Sequence, residues 1–342
     1  MATTVIRYVD PNSSGGDGTT NALSGATAAY ASLSAWEAAR QRNLVTADEI
    51  ERVICSSDDA GSTHAADTTA VTLDGWTTDA TRYIQIEAAS SHGGKWNTAK
   101  YRLQISNAIA VNIYEDYIRI NGVQIETITP SVDNRHGIYI EAGLTTYIRI
   151  SNTIIKGHNH ATYIQDGISI STACGAVDIW NTVIWNLYGL ASSRCINSGT
   201  PGNCTIYNST TSGGGVGVRK AASSIVVCKN VLAVGASAGC FVRYDVSGLT
   251  NYNCASSDAT ADDFGGSGNI VNQTYTFVNA ANGDFHLIST DPMNNGLSDP
   301  GSGLFSDDID GVTRTGTWDI GADEYVAAGG SILRQMMAHH GG

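Results

Sequence analysis

Between Tyr117 and Cys254 the chain repeats one short phrase: two alternating apolar residues, a turn residue, then further apolar residues. It reads Tyr117-Ile-Arg-Ile-Asn-Gly-Val-Gln-Ile125, then Tyr147-Ile-Arg-Ile-Ser-Asn-Thr-Ile-Ile155, then Val177-Asp-Ile-Trp-Asn-Thr-Val-Ile-Trp185. Weaker copies centre on Asn208, Asn230 and Asn253. Aligned on the turn residue (Gly122, Asn152, Asn181, Asn208, Asn230, Asn253), the copies fall 30, 29, 27, 22 and 23 residues apart. A second phrase, glycine followed by apolar residues around one spacer, runs between them at Gly137, Gly167, Gly215 and Gly239. Two interleaved strand signals with this period define a solenoid and not a globular core.

Strand residues alternate faces, so both isoleucines of Tyr147-Ile-Arg-Ile150 point one way and the tyrosine and arginine the other. A coil of this length holds three short strands and three bends, and the next coil stacks about 4.8 Å above it. Asn and Gly suit the bends because both tolerate left-handed backbone angles. Only five prolines occur in 342 residues, as a continuous hydrogen-bonded ladder requires. The competing architecture, an antiparallel sandwich, needs hairpin chemistry that is scarce here. The expected fold class is therefore all-β: a right-handed, single-stranded parallel β-helix with an N-terminal capping helix and a short C-terminal tail.

The expected organisation is an N-terminal strand, loop and capping helix over 1–50, coils over 51–275, a closing module over 276–326, and a tether with a terminal peptide over 327–342. The helix is read from Ser34 and Glu37 as a capping box with Leu33 as the staple, continuing to about Asn43. No stretch approaches the 18 or so apolar residues of a membrane span. A formal net charge of −13 argues against nucleic acid, whose binding depends on Lys and Arg. The opening residues show no basic leader or long apolar run, so no secretory signal is expected. Seven cysteines, an odd number with several inside strand phrases, are expected to stay reduced and to pack as small apolar residues.

The opening Tyr8-Val-Asp-Pro11 with its Gly-rich loop and Tyr30-Ala-Ser-Leu-Ser-Ala-Trp36 resembles the start of right-handed parallel β-helix proteins of the pectate-lyase-like superfamily. The end, Gly283-Asp-Phe-His-Leu287, Asp310-Gly311, Arg314 and Asp319-Ile-Gly-Ala-Asp-Glu324, is similar to a terminal module of many such chains. Versions of this kind resemble proteins encoded among the structural genes of tailed bacteriophages. The resemblance implies a fold and a virion setting, while the fold itself hosts lyases, hydrolases, adhesins and inert pieces.

Catalysis on this scaffold would need outward carboxylates on neighbouring coils, two of them about 5 to 10 Å apart in a glycosidase. Glu115, Asp116, Asp133, Glu141, Asp166 and Asp178 are the candidates, but the outward slot of the first phrase holds Arg119, Arg149 and Asp178, so no acidic ladder emerges. The densest polar cluster is Lys156-Gly-His-Asn-His160 with His136 one coil earlier and Asp166 after it, which makes His158 and His160 further catalytic candidates. Asp308-Ile-Asp-Gly311 reads as a turn, and neither a metal nor a cofactor is expected. Tyr117, Tyr147, Trp180, Trp185 and Tyr188 are candidate glycan contacts, with Tyr117 and Tyr147 expected to stack.

Ile332, Leu333, Met336 and Met337 form a short apolar face after a Gly-rich tether, expected to anchor the chain to a larger assembly. Two function classes follow. One is a non-catalytic virion component (decoration, head fibre or spike body), bound to other virion proteins and touching host glycans. The other is a polysaccharide depolymerase. Homo-oligomerisation is open, since no coiled-coil heptads supply a stem.

Overall fold

A computed structural model describes residues 2–57, 64–128, 131–132, 134–141, 147–158, 162–171, 174–187, 190–199, 202–245, 247–288 and 295–326. Three parallel sheets of nine, seven and seven strands wind into one β-helix, consistent with the right-handed form. Sheet one contains Thr3–Val9, Glu49–Cys55, Ile84–Ala88, Ile118–Asn121, Ile148–Ser151, Cys174–Trp180, Gly202–Tyr207, Ile225–Lys229 and Leu249–Tyr252. Sheet two runs from Arg102–Ser106 to Ala255–Ser256, and sheet three from Val71–Leu73 to Gly239–Arg243. From Ile118–Asn121 to Ile225–Lys229 each coil passes from sheet one through a tight bend to sheet two, then to sheet three.

The register stacks like on like. Val53, Ile86, Ile120, Ile150, Ile179, Ile206 and Cys228 form one inward column of sheet one, each at most 2 % exposed. Full burial of such a side chain is worth roughly 1.5–3 kcal/mol, so these columns hold the solenoid together. The column ends at Asn251, whose Nδ2 donates to Ala261 O (3.0 Å) in a 3-10 turn that closes the top. Six described cysteines are buried and form no disulfide, and burial pushes up the thiols of Cys55, Cys195, Cys228, Cys240 and Cys254, the last to about 12. The side chain of Cys174 lies outside the described residues. Two of the glycine phrases are out of step: Ile138, Ile168, Ile196, Val218 and Phe241 share one rung, which Gly137 and Gly167 directly precede, whereas Gly215 and Gly239 lie further back.

All six aligned turn residues adopt the left-handed conformation, with φ of 73° at Gly122, 48° at Asn152, 46° at Asn181, 36° at Asn208, 56° at Asn230 and 48° at Asn253. Asparagine adds what glycine cannot, a side-chain ladder along the bend. Asn152 Nδ2 donates to Asn121 Oδ1 (2.8 Å), Asn181 Nδ2 to Asn152 Oδ1 (3.1 Å), and Asn230 Nδ2 to Asn208 Oδ1 (3.2 Å).

The N-terminal segment belongs to the solenoid: Thr3–Val9 pairs in parallel with Glu49–Cys55, which itself crosses the expected boundary at 50. The helix spans Leu33–Arg40, and its cap is Ser32, whose side chain accepts from Ala35 N; Ser34 lies inside the first turn. Glu37 does not close a capping box either, because its carboxylate receives Trp76 Nε1 and Asp74 N. Trp36 (0 % exposed) seals the bottom of the core and donates to Glu51 Oε1, which is also bonded by Arg40.

The closing module folds back along the bend between sheets one and two. Asn253 Nδ2 donates to Asn295 O, Asn230 to Leu297 O, Asn208 to Asp319 O and Asn181 to Asp307 O, so successive ladder positions strap it down. Its sequence pattern is a folding device. Arg314, 4 % exposed, donates to Gly321 O, Ala322 O and Glu324 Oε2, and Asp308 Oδ1 caps a turn by accepting Asp310 N and Val312 N.

Candidate ligand-binding groove

On the outer face of sheet one, Arg52, Gln85, Arg119, Arg149, Asp178 and Thr205 lie in register on successive coils. Two residues along, Glu87, Asn121, Ser151, Trp180 and Tyr207 form the neighbouring outward column. The closing module rises beside these columns and leaves a groove of about 770 Å3. Its floor carries Gln85, Arg119, Asn121, Arg149 and Trp180, and its wall is built from Gly303–Asp307, Thr313 and Trp318. Phe305 stacks on Trp180 with centroids 6.0 Å apart, which fixes the apolar corner of the groove.

The charges at the groove's lower end are consumed. Arg52 pairs with Glu87, and Gln85 Nε2 donates to Glu87 Oε2 (2.6 Å). Arg119 and Arg149 differ. Neither makes a hydrogen bond or ion pair among the described residues, and Arg149 Nε is shielded from solvent without a partner. Arg119 instead lies over the Tyr83 ring, 3.5 Å from its centroid. Burial holds the Arg119 guanidinium below its usual pKa, and neighbouring Arg149 adds to that shift. Burial likewise raises the Asp178 carboxyl, against the pull of Arg149. Asp299 and Asp307 sit on the wall, and neither comes within ion-pair distance of an arginine among the described residues.

Both arginines are half-buried and place two positive charges on adjacent rungs without an acidic partner among the described residues, and Arg149 Nε is the atom of the pair that is shielded and left unbonded. An unsatisfied buried donor costs about 1–3 kcal/mol, more when charged. A carboxylate or sulfate between them relieves that cost through charge-assisted, bidentate bonds. The amides of Asn121 and Asn152 and the Trp180–Phe305 corner suit a ring with polar edges.

A second groove, of about 500 Å3, lies on sheet three and contains Asp166. Here the charges close on themselves. Arg194 grips Asp166 through Nε (2.6 Å) and Nη2 (3.0 Å), Asn197 Nδ2 donates to Asp166 Oδ2 (3.0 Å), and Arg219 Nη1 donates to Asn197 Oδ1 (2.8 Å). His136 Nδ1 accepts from Asp166 N (3.2 Å), which leaves its proton on Nε2, and burial lowers its pKa. With its side chain 0 % exposed and both oxygens engaged, Asp166 braces the coils and is not positioned as a free acid or base.

The remaining sequence candidates disperse. Asp178 adjoins the first groove through its register with Arg149. Glu141 lies at the end of a sheet-three strand and acts on the Tyr114 hydroxyl, whose pKa it raises. Glu115 accepts Trp76 N (2.7 Å) near the N-terminal cap. The His158 backbone N–H donates to Gln165 Oε1 (2.9 Å). Asp133, His160, Tyr188 and the segment with Ile332, Leu333, Met336 and Met337 lie outside the described residues.

Of the aromatic candidates among the described residues, only Trp180 lines the first groove. Trp185 is buried at 6 % exposure, packed edge-on against Phe285, so it offers no outward face. Tyr147 is 52 % exposed. Tyr117 has φ 57°, a left-handed turn that Tyr147 does not share, and the two rings form no stack among the described residues. The expected Tyr117–Tyr147 platform is therefore corrected: equal spacing in sequence did not give equal backbone at the strand start.

Comparison with protein-family models, with curated proteins and with solved structures returns no match. The functional reading therefore rests on this chain's own geometry.

Proposed function

We propose that the chain is a non-catalytic, β-helical structural protein that binds acidic glycans in the groove on sheet one. The observation that carries this reading is the in-register pair Arg119 and Arg149, without hydrogen-bond or ion-pair partners among the described residues, on the floor of a groove with an aromatic corner. Such a floor favours a uronic or sialic acid residue, or a sulfated sugar, over a neutral one. The virion setting of the proposal is supported by the resemblance of the opening and closing segments to bacteriophage β-helix chains. In that setting the rigid solenoid is a decoration, fibre or spike body, fixed to other virion proteins through Ile332, Leu333, Met336 and Met337.

A second reading shares the groove. Asp178 beside Arg149 and Asp307 on the wall bring carboxylates near the arginines, the groups that acid–base work in a β-elimination needs. On that reading the chain is an acidic-polysaccharide lyase.

One experiment separates the two. The protein is incubated with uronate-bearing, sulfated and neutral polysaccharides while binding is followed by calorimetry and product by ultraviolet absorbance of unsaturated ends and by reducing-end assay. Binding to acidic chains without new ends supports the structural reading. Release of unsaturated ends that disappears in Arg119→Gln supports the lyase. Equal binding of neutral and acidic chains defeats both.

A further inference from the structure

Three donor groups converge in the closing module, apart from the groove. His286, Asp310 and Asp323 each offer one ligand atom, and these atoms lie within 4.8 Å of one another. They come from separate segments: the strand Asp284–Leu287, the turn capped by Asp308, and the stretch pinned by Arg314. His286 Nε2 is 2.8 Å from Asp310 Oδ2, while its Nδ1 is 2.5 Å from Asp284 Oδ1. A carboxylate behind the ring is what orients an imidazole whose other nitrogen binds a metal. Asp323, 7 % exposed, is itself held by Leu287 N donating to Oδ2 (2.7 Å).

Two independent features point to a positive ligand. Asp310 Oδ1 is shielded from solvent and has no hydrogen-bond partner among the described residues. His92, 2 % exposed, lines the same cavity of about 200 Å3 as Asp310 and carries an unpartnered Nδ1. The backbone also makes room: a Cβ on Gly94 (φ 64°) would collide with Asp310 Oδ1 and His286 Nε2. A bare imidazolium bridging Asp284 and Asp310 would satisfy the ring, but it leaves Asp310 Oδ1 and His92 Nδ1 without partners.

We propose that His286 Nε2, Asp310 and Asp323 hold a divalent first-row transition ion of the zinc or manganese class, which clamps the closing module. One imidazole nitrogen with two carboxylate oxygens, and no thiolate, suits such an ion better than a soft one. An octahedral ion bound at about 2.1 Å sets neighbouring donors about 3 Å apart, close to the spacing already present between His286 and Asp310. The ion ties three chain segments together and so fixes the wall of the groove.

The test is calorimetric titration of chelator-treated full-length protein with Zn2+ and with Mn2+, followed by thermal unfolding and metal analysis. The expected result is one ion per chain, a rise in Tm of several degrees, and at least tenfold weaker binding in His286→Gln and Asp310→Asn but not in His158→Gln. A Co2+ spectrum of the unaltered protein keeps the test independent of whether the variants fold, and nitrogen–oxygen ligation without thiolate bands is expected. No bound ion, or thiolate bands placing the ion on cysteines, overturns the proposal.

Discussion

Replacing Asn230 probes the seam between coils and closing module, because this one side chain serves both. Its φ of 56° lies in the left-handed region. Its amide donates to Asn208 Oδ1 and Leu297 O and accepts from Leu297 N (3.2, 2.9 and 2.7 Å). Asn230→Gly keeps the backbone freedom and loses three hydrogen bonds, at about 1 kcal/mol each, so it is expected to cost about 3 kcal/mol. Asn230→Ala loses the same bonds and adds left-handed strain, about 1 kcal/mol beyond the glycine variant. Urea unfolding measures both, and hydrogen exchange over 295–325 reads whether the module lifts from its strap. A glycine variant that costs under about 1 kcal/mol, with unchanged protection over 295–325, would refute the reasoning.

Other outcomes follow from the same contacts. Glu51→Gln strips the charge from a carboxylate that is 0 % exposed and bonded to Arg40 and Arg42; it is expected to cost about 3 kcal/mol in urea unfolding, whereas Glu49→Gln, at the surface end of the same cluster, costs under about 1 kcal/mol. His136 has a folded pKa lowered by burial from its usual 6.5, opposed by Asp166 and reinforced by Arg194 and Arg135. Its neutral form is the folded one, so its contribution is complete above the unfolded value and declines as pH falls through 6.5 toward the lowered value. Unfolding at pH 7.5 and at pH 5 is expected to show a smaller loss in His136→Gln than in the parent; identical losses contradict the burial argument. A chain ending at Tyr325 is expected to fail to dock on its source particles while keeping the parent's Tm, and full docking by the truncated chain rules out the terminal anchor.

Much of the scaffold was readable because it depends on local, periodic chemistry. The turn residues that align in the repeat are in left-handed conformation, and the isoleucines two apart line the core. Where local signals are ambiguous the sequence misleads: Ser34 with Glu37 has capping-box spacing, but the helix starts at Leu33 and Ser32 caps it. The phrases at Gly215 and Gly239 read like copies of those at Gly137 and Gly167, yet the sheet register sets both out of step with them.

The groove was less legible. Arg119 and Arg149 were recognised as equivalent outward positions, but as a gap in an acidic ladder and not as a pair. What turns them into a site is the closing module, which returns over coils more than a hundred residues upstream through Asn181 and Asn208. The same return buries Trp185 and supplies Phe305 to Trp180. No periodicity encodes that path. Similarly, His286, Asp310 and Asp323 are far apart in sequence and meet only once Arg314 has folded the module.

The most direct measurement is calorimetric binding of an acidic oligosaccharide to the full chain and to Arg149→Gln, at low and at physiological salt. A charged hydrogen bond is worth about 1.5–3 kcal/mol, so affinity is expected to fall roughly 10- to 100-fold in the variant and to weaken with salt in the parent. Equal affinity in the two proteins, or no binding of any acidic glycan by the parent, would contradict the assignment of the Arg119–Arg149 groove.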